Sequence, residues 1–411
     1  MLSSKKIIFF IVAILYISYT IFPLLSDLIN IPVWLPSIAA FGLMFLLYPK
    51  AFFNRTFYWF IVYAIILLIN VLLNRPLTIG IGTVEDSKKI LIEYAWIIPS
   101  ISIFCILQYQ QDDQLDNLFQ KWSIALLFLS FLTALPIMEQ YSSIRQALID
   151  ETYYEAEKIV GLPTYSLMHA WTLMVPVLCY AVKVCAEKRK FISLLALALL
   201  CFMVYDTFIT TCLFLSVMSI VFTLFYYKDN KDTSILIFIV VFFFIMLLYW
   251  TGAFVVILEK IMPLFDGTYV YYKLNDMRDS LLQGELTGSS LTTRRDRHMT
   301  SWNSFFANPI FGGGEEGRHS SLIDRLGGMG LVAFIPFVMI FITAIKQVSK
   351  RLLDRTTRIF YYLVCIVALL FLYTKGNWCS ENWLLFMVLA PLSLRMIEKR
   401  NLFEPQKQDS E

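Results

Sequence analysis

Charge is what this sequence has least of: Asp, Glu, Lys and Arg make up 16% of its 411 residues, against 58% apolar. Soluble domains carry about 25% charged residues, so a water-facing globular protein is excluded and a polytopic membrane protein is expected. Histidine is scarcer still, at three, and no Cys-x-x-Cys or other metal-ligand spacing accompanies it, so no metal site is expected. The seven cysteines are scattered, and all but Cys379 fall in apolar runs or at their basic ends, which excludes a disulfide framework. A net charge of +3 gives no reason to expect a nucleic-acid partner. No internal repeat and no low-complexity tract stands out. No polar segment is large enough for a domain of its own, so residues 1–411 read as a single integral-membrane domain.

What is present is a succession of apolar runs. A bilayer core of about 30 Å needs roughly 20 apolar residues per helix. Runs that qualify begin near Ile7, Ile31, Phe57, Ile90, Trp122, Tyr165, Phe191, Phe208, Ser234, Leu326, Ile359 and Asn382. The expected fold is all-α, with about twelve transmembrane helices. The stretch from Phe191 to Tyr227 is divided at Asp206-Thr207 into two spans. If the spans alternate, Lys5-Lys6, Lys50 and Arg55, the 183–190 and 347–358 loops and the 395–400 tail share one side. Short cytoplasmic loops collect Lys and Arg, so both termini are expected in the cytoplasm. The N-terminal run is too long for a signal-peptide core and is read as the first span. Asp112, Asp113 and Asp116 then fall in a short cytoplasmic loop and are expected to be a solvated acidic cluster.

Two longer segments, 139–163 and 259–325, fall on the opposite side, where long loops escape the positive-inside bias. The second contains a polar, cationic island. Arg294, Arg297, His298 and Ser301 recur at helical spacing and so share a face, while Trp302, Phe305 and Phe306 form an aromatic flank suited to a membrane interface. Asn308-Pro309 ends that helix. Gly312-Gly313-Gly314 follows as a turn whose bare amides can approach an anion. Ser320 or Ser321 caps the next helix, which carries Asp324 and enters the membrane past Gly327-Gly328 and Gly330.

The order Arg294, Trp302, Asn308-Pro309-Ile310-Phe311, Gly312-Gly313-Gly314, His319, Asp324, Gly330 resembles the O-antigen polymerase and ligase superfamily, the Wzy and WaaL type glycosyltransferases. The wording HSSLIDRLGGMGL is most similar to the capsular-polysaccharide or exopolysaccharide polymerase branch. The motif covers roughly a tenth of the chain. The resemblance implies an inverting, metal-independent glycosyl transfer without cofactor on the outer face of the bacterial cytoplasmic membrane. The donor would be a glycan on a polyprenyl diphosphate, and the acceptor a hydroxyl of a lipid-linked repeat unit. Alongside the lipid bilayer, a chain-length regulator and a flippase are the expected partners. Arg294 matches the family arginine and would stabilise the departing pyrophosphate. Arg297 and Arg295 on the same helix, and Arg318 beside the histidine, would add to the anion site, with Gly313 at the turn. His319 would be the base for the acceptor hydroxyl, since an imidazole pKa near 6.5 suits proton transfer at neutral pH. Asp324 would orient it or share its proton.

Two departures accompany the match. Lys158, ahead of Val160-Gly161, stands where relatives place an arginine, which keeps the charge and loses the bidentate fork. The Ser-Arg found in many relatives near the seventh-to-eighth hairpin is replaced by YDTFITTC. Simpler roles compete for several residues. Arg295 and Arg297 also suit lipid headgroups, His298 a solvated position, His169 a packed one, and the tyrosines at 269–272 an aromatic belt. A ligase would share the chemistry with a different acceptor. A multi-span flippase or transporter would share the topology, but such proteins concentrate polar and broken-helix features near the bilayer midplane.

Overall fold

The computed structural model describes residues 3–29, 31–32, 34–73, 77–79, 83–85, 87–140, 159–185, 187–207, 209–226, 253–267, 269–283, 289–375 and 378–403. It is a helical membrane protein. The helices are α1 Ser4–Ile21, α2 Pro23–Ile29, α3 Trp34–Leu47, α4 Arg55–Leu72, α5 Ser87–Gln110, α6 Asp113–Met138, α7 Tyr165–Val184, α8 Glu187–Asp206, α9 Thr210–Phe225, α10 Ala253–Ile261, α11 Tyr269–Gln283, α12 Ser289–Ala307, α13 Ser321–Arg351, α14 Arg355–Thr374, α15 Ser380–Leu384 and α16 Ala390–Phe403. A π-helical stretch, Leu385–Leu389, joins the last two.

The starts of these helices follow from local chemistry. Asn54, Asp112, Thr164, Ser320 and Asp354 each stand just before an apolar run and accept a hydrogen bond from a first-turn amide. Each such cap satisfies a donor that the helix itself leaves orphaned. Most helices then bury a single stripe and turn Leu, Ile and Phe outward; Leu15, Leu46 and Leu72 are 64%, 76% and 71% exposed. Such residues would be costly in water and are at home against lipid. Helix α7 is the exception, buried over most of its circumference, with Trp171 and Tyr180 fully inside.

Among the described residues six helices are long and apolar enough to cross a membrane: α1, α4, α6, α7, α13 and α14. Helices α2 and α3, bent by 104°, make up to seven if they form one span. Shorter apolar helices lie at Ala95–Gln110 and Thr211–Phe225. The run expected from Ser234 lies outside the described residues, as do 141–158 of the first long loop, including Lys158. The division at Asp206-Thr207 coincides with the end of α8, where Thr207 Oγ1 accepts from Ile209 N at 3.3 Å.

One element has no sequence precedent. β1 Leu77–Ile79 pairs antiparallel with β2 Thr83–Glu85, and β1 also pairs in parallel with β3 Glu315–Glu316 in the second long loop. This three-stranded sheet fastens the glycine-turn segment to the connection between α4 and α5.

The bundle has two polar ends. At one, Lys6 bonds to Asp112, Arg351 and Arg395 converge on Asp116, and Arg395 and Lys399 reach Asp113. Asp116 is 1% exposed. Asp116 is therefore not solvated, because α13 and α16 bring cations from far along the chain to cover it, while the Asp113 side chain stays 60% exposed. At the other end, the caps of α7 and α13 meet the segment after α14, and Ser321 N and Oγ both donate to Lys375 O at 2.9 Å. Between these ends, α13 from Leu331 to Arg351 covers roughly 30 Å at about 1.5 Å per residue, the thickness of a bilayer core.

Candidate functional site

The second end holds the cationic island. Helix α12 runs to Ala307 and stops at Asn308-Pro309, as the sequence predicts. Asn308 O accepts from Gly312 N at 2.7 Å, and its Oδ1 accepts from Phe311 N at 3.2 Å, closing the turn. Helix α13 is capped by Ser320, whose Oγ accepts from Ile323 N at 3.2 Å.

Helix α13 then breaks at Gly330, with φ 65° and ψ −165°, a conformation that is essentially reserved for glycine. A Cβ there would lie 2.4 Å from both Gly312 N and Ile310 O. The break frees backbone donors, and the preceding loop fills them: Leu331 N donates to Pro309 O at 3.0 Å and Val332 N to Ile310 O at 3.1 Å. The Asn-Pro-Ile-Phe segment therefore plugs an interrupted helix with its backbone carbonyls.

Two serines one helical turn apart tie α12 to α13 and to the loop. Ser301 Oγ donates to Asp324 Oδ1 at 2.7 Å and accepts from Gly317 N at 2.8 Å. Ser304 Oγ donates to Gly327 O at 2.8 Å and accepts from Glu315 N at 3.0 Å. Both side chains are buried. Asp324, 3% exposed, uses its other oxygen, Oδ2, to accept from Ser320 N at 3.0 Å. What this carboxylate fixes in place is the 317–320 segment that carries Arg318 and His319.

A second buried pair lies beneath. Arg325 Nη1 donates to Glu316 Oε1 at 2.8 Å and to Oε2 at 3.1 Å, with side chains 10% and 5% exposed. Burial pushes the Glu316 carboxyl above its ordinary range, and the Arg325 guanidinium pulls the other way. Sequence reasoning did not single out Ser304, Glu316 or Arg325. The i, i+3 spacing of Ser301 and Ser304 on the island's own face was the available signal, since buried hydroxyls there must find partners.

The expected site residues fall in three groups. His319 is half-buried, Arg318 is exposed with φ 59°, and Asp324 is buried; one connection and its helix cap hold them together. Arg297 joins them through backbone packing, since a Cβ on Gly317 would lie 2.0 Å from Arg297 O. Its guanidinium Nε is buried and has no hydrogen-bond partner among the described residues. Arg295 points elsewhere: it is exposed, and Nε reaches the neighbouring Asp296 Oδ1 at 3.1 Å. The backbone of Arg294 is in α12, but its side chain lies outside the described residues, as does Lys158 altogether.

In the glycine turn, two of the three amides are used internally, Gly312 N on Asn308 O and Gly314 N on Gly327 O, while Gly313 is exposed. Trp302, Phe305 and Phe306 form one aromatic cluster with ring separations of 5.5–6.0 Å, and Phe306 is 69% exposed. Of the other histidines, His298 packs its ring 5.9 Å from that of Tyr373. His169 is buried in α7 with its ring 4.9 Å from Phe371. Among the described residues no group of three or more His, Cys, Asp or Glu side chains could hold a metal ion.

A cavity of about 620 Å³ opens at the same end, lined by Tyr19, Ser26, Asp27, Trp96, Thr164 and Glu381 among others. The last residues of the first long loop, Ile159 and Leu162, also line it, whereas α12 does not. Asp27 Oδ2 accepts from Gly161 N at 2.7 Å, and Glu381 Oε1 accepts from Thr164 Oγ1 at 3.1 Å. Compared with protein-family models and with curated proteins, the chain matches none.

Proposed function

We propose that this protein is a polysaccharide polymerase that joins polyprenyl-diphosphate-linked oligosaccharide repeat units on the outer face of a bacterial cytoplasmic membrane. In this reading the chain crosses the membrane about twelve times, and its Lys- and Arg-rich end, with both termini, faces the cytoplasm. The opposite end, with Arg297, Arg318 and His319, then faces the envelope. The observation that carries the proposal is the buried Arg297 Nε, without a hydrogen-bond partner among the described residues, on a residue whose backbone packs against Gly317. A buried guanidinium donor with nothing to bond is costly to maintain unless a ligand satisfies it. An arginine fork fits pyrophosphate oxygens, whose charge grows as the glycosidic bond breaks.

In the transfer itself, Arg294 and Arg297 take up that developing charge, with Arg295, Arg318, Lys158 and the exposed turn at Gly313 lending further cationic or amide contacts. His319 accepts the proton of the acceptor hydroxyl, which attacks the anomeric carbon from the face opposite the departing diphosphate and inverts it. Asp324 is a positioning residue, because its oxygens hold Ser301 and the Ser320 amide. The cavity with Trp96, Tyr19 and two carboxylates supplies the mix of ring faces and hydrogen-bond acceptors that sugar hydroxyls use.

A second reading, a flippase for lipid-linked glycans, draws on the broken helices at Gly330 and between α2 and α3. Lipid-linked glycans from a deletion strain separate the possibilities: single repeat units accumulate for a polymerase, full-length chains for a ligase, and units trapped on the cytoplasmic side for a flippase. In complementation, Arg294→Ala and His319→Ala each abolish polymer while the protein remains inserted. Polymer of normal length in either variant removes that residue from the mechanism.

A further inference from the structure

The opposite, Lys- and Arg-rich end holds a cavity that the transfer chemistry does not use. It measures about 480 Å³ and is lined by Lys50, Lys350, Arg351 and Arg395, with Phe53 and Leu353 at its edge and no carboxylate among its lining residues. That volume lies within the range of about 300–1,000 Å³ that holds small molecules.

The charges there are not equivalent. Arg351 donates to Asp116 Oδ2 and to Leu107 O, at 3.2 and 3.1 Å, and Arg395 donates to Asp116 and Asp113, so these two cations are fixed in position by carboxylates behind them. Lys50 and Lys350 are exposed and form no ion pair among the described residues. Asn54 and Gln347 bond to each other side chain to side chain at 2.8 Å in both directions, which sets the wall between the two lysines. The cavity is therefore a preorganised cationic bowl with two ammonium groups that form no ion pair among the described residues.

Its edge is apolar and outward-facing. Phe53 is 93% exposed and Leu353 63% exposed. Large apolar side chains so exposed beside a cationic cavity match a ligand with an anionic head and a hydrocarbon tail. A free anion would use only the cationic lining, whereas a lipid would also lay its chains along these two side chains.

We propose that this cavity binds the phosphate headgroup of an anionic phospholipid, with Lys50 and Lys350 on the phosphate and the acyl chains along Phe53 and Leu353. The site is independent of the glycosyl-transfer reading, since it uses none of those residues. The test is direct lipid binding to the full-length protein in neutral detergent, comparing phosphatidylglycerol, phosphatidylcholine and inorganic phosphate. Phosphatidylglycerol is expected to bind about tenfold or more tightly than phosphatidylcholine. The variant Lys50→Gln with Lys350→Gln is expected to lose that preference with unchanged thermal stability, because neither lysine ties the fold together. Phe53→Ser keeps the charges and is expected to weaken lipid binding. Equal affinity for the two lipids, a preference that survives the double lysine variant, or phosphatidylglycerol binding displaced by millimolar inorganic phosphate would each overturn the proposal.

Discussion

Replacing Ser301 with alanine removes one hydroxyl that does two jobs at once. It donates to Asp324 Oδ1 at 2.7 Å and accepts from Gly317 N at 2.8 Å, both in a fully buried setting. Alanine fills nearly the same space, so the backbone of α12 need not move. The cost is the stranding of a buried amide and of one carboxylate oxygen. Each such group costs about 1–3 kcal/mol when its partner is lost and water cannot replace it. The Gly317 amide then opens more readily, and 1–3 kcal/mol corresponds to roughly a 5- to 150-fold change in the opening equilibrium. Amide hydrogen exchange at Gly317, read on the purified protein in detergent, is therefore expected to accelerate by that factor, with Ser320 N following because Asp324 holds it through its other oxygen. Amides deep in α7 should exchange at the native rate. Ser301→Thr keeps the hydroxyl and restores protection in part. If Gly317 exchange in Ser301→Ala stays within about twofold of native, the Ser301–Asp324 tie does not hold the 317–320 turn, and the positioning role assigned to Asp324 fails with it.

The remaining predictions concern other parts of the frame. Breaking the buried Glu316–Arg325 pair from one side, by Glu316→Gln or Arg325→Met, is expected to cost about 3–5 kcal/mol of stability because a charge is left buried alone; the double substitution should recover most of it in thermal denaturation. Gly330→Ala is expected to prevent accumulation of folded protein, seen as loss of a monodisperse peak, since its Cβ would overlap Ile310 O and the residue sits at φ 65°. Asp112 is held below its ordinary range near 3.8, chiefly by the hydrogen bond from Lys6. Its contribution is thus present above that range and lost as pH falls through the depressed value. Asp112→Asn keeps the helix cap and removes the ion pair, so its stability deficit is expected at pH 7 and should shrink in acid; an unchanged gap at both pH values would refute the assignment.

Much of the local structure was legible in the sequence. The end of α12 at Asn308-Pro309, the Ser320 cap and the break between α8 and α9 follow from backbone chemistry within a few residues: a missing N–H, a hydroxyl in reach of a first-turn amide. The apolar surplus likewise determined that the chain is a helical membrane protein, because a bilayer leaves the backbone few other ways to satisfy its hydrogen bonds. Only the tertiary structure decided which polar groups meet. Asp116 was read as solvated, yet Arg351 and Arg395 from more than 230 residues away bury it. Glu316 and Arg325 carried no local signal, and the pairing of β1 with β3 joins segments whose short runs of sequence say nothing of each other. The difference is physical: capping and hydropathy act within one or two helical turns and leave a mark in composition. Partner choice among buried polar groups depends on which helices pack side by side, and that is set by the whole chain.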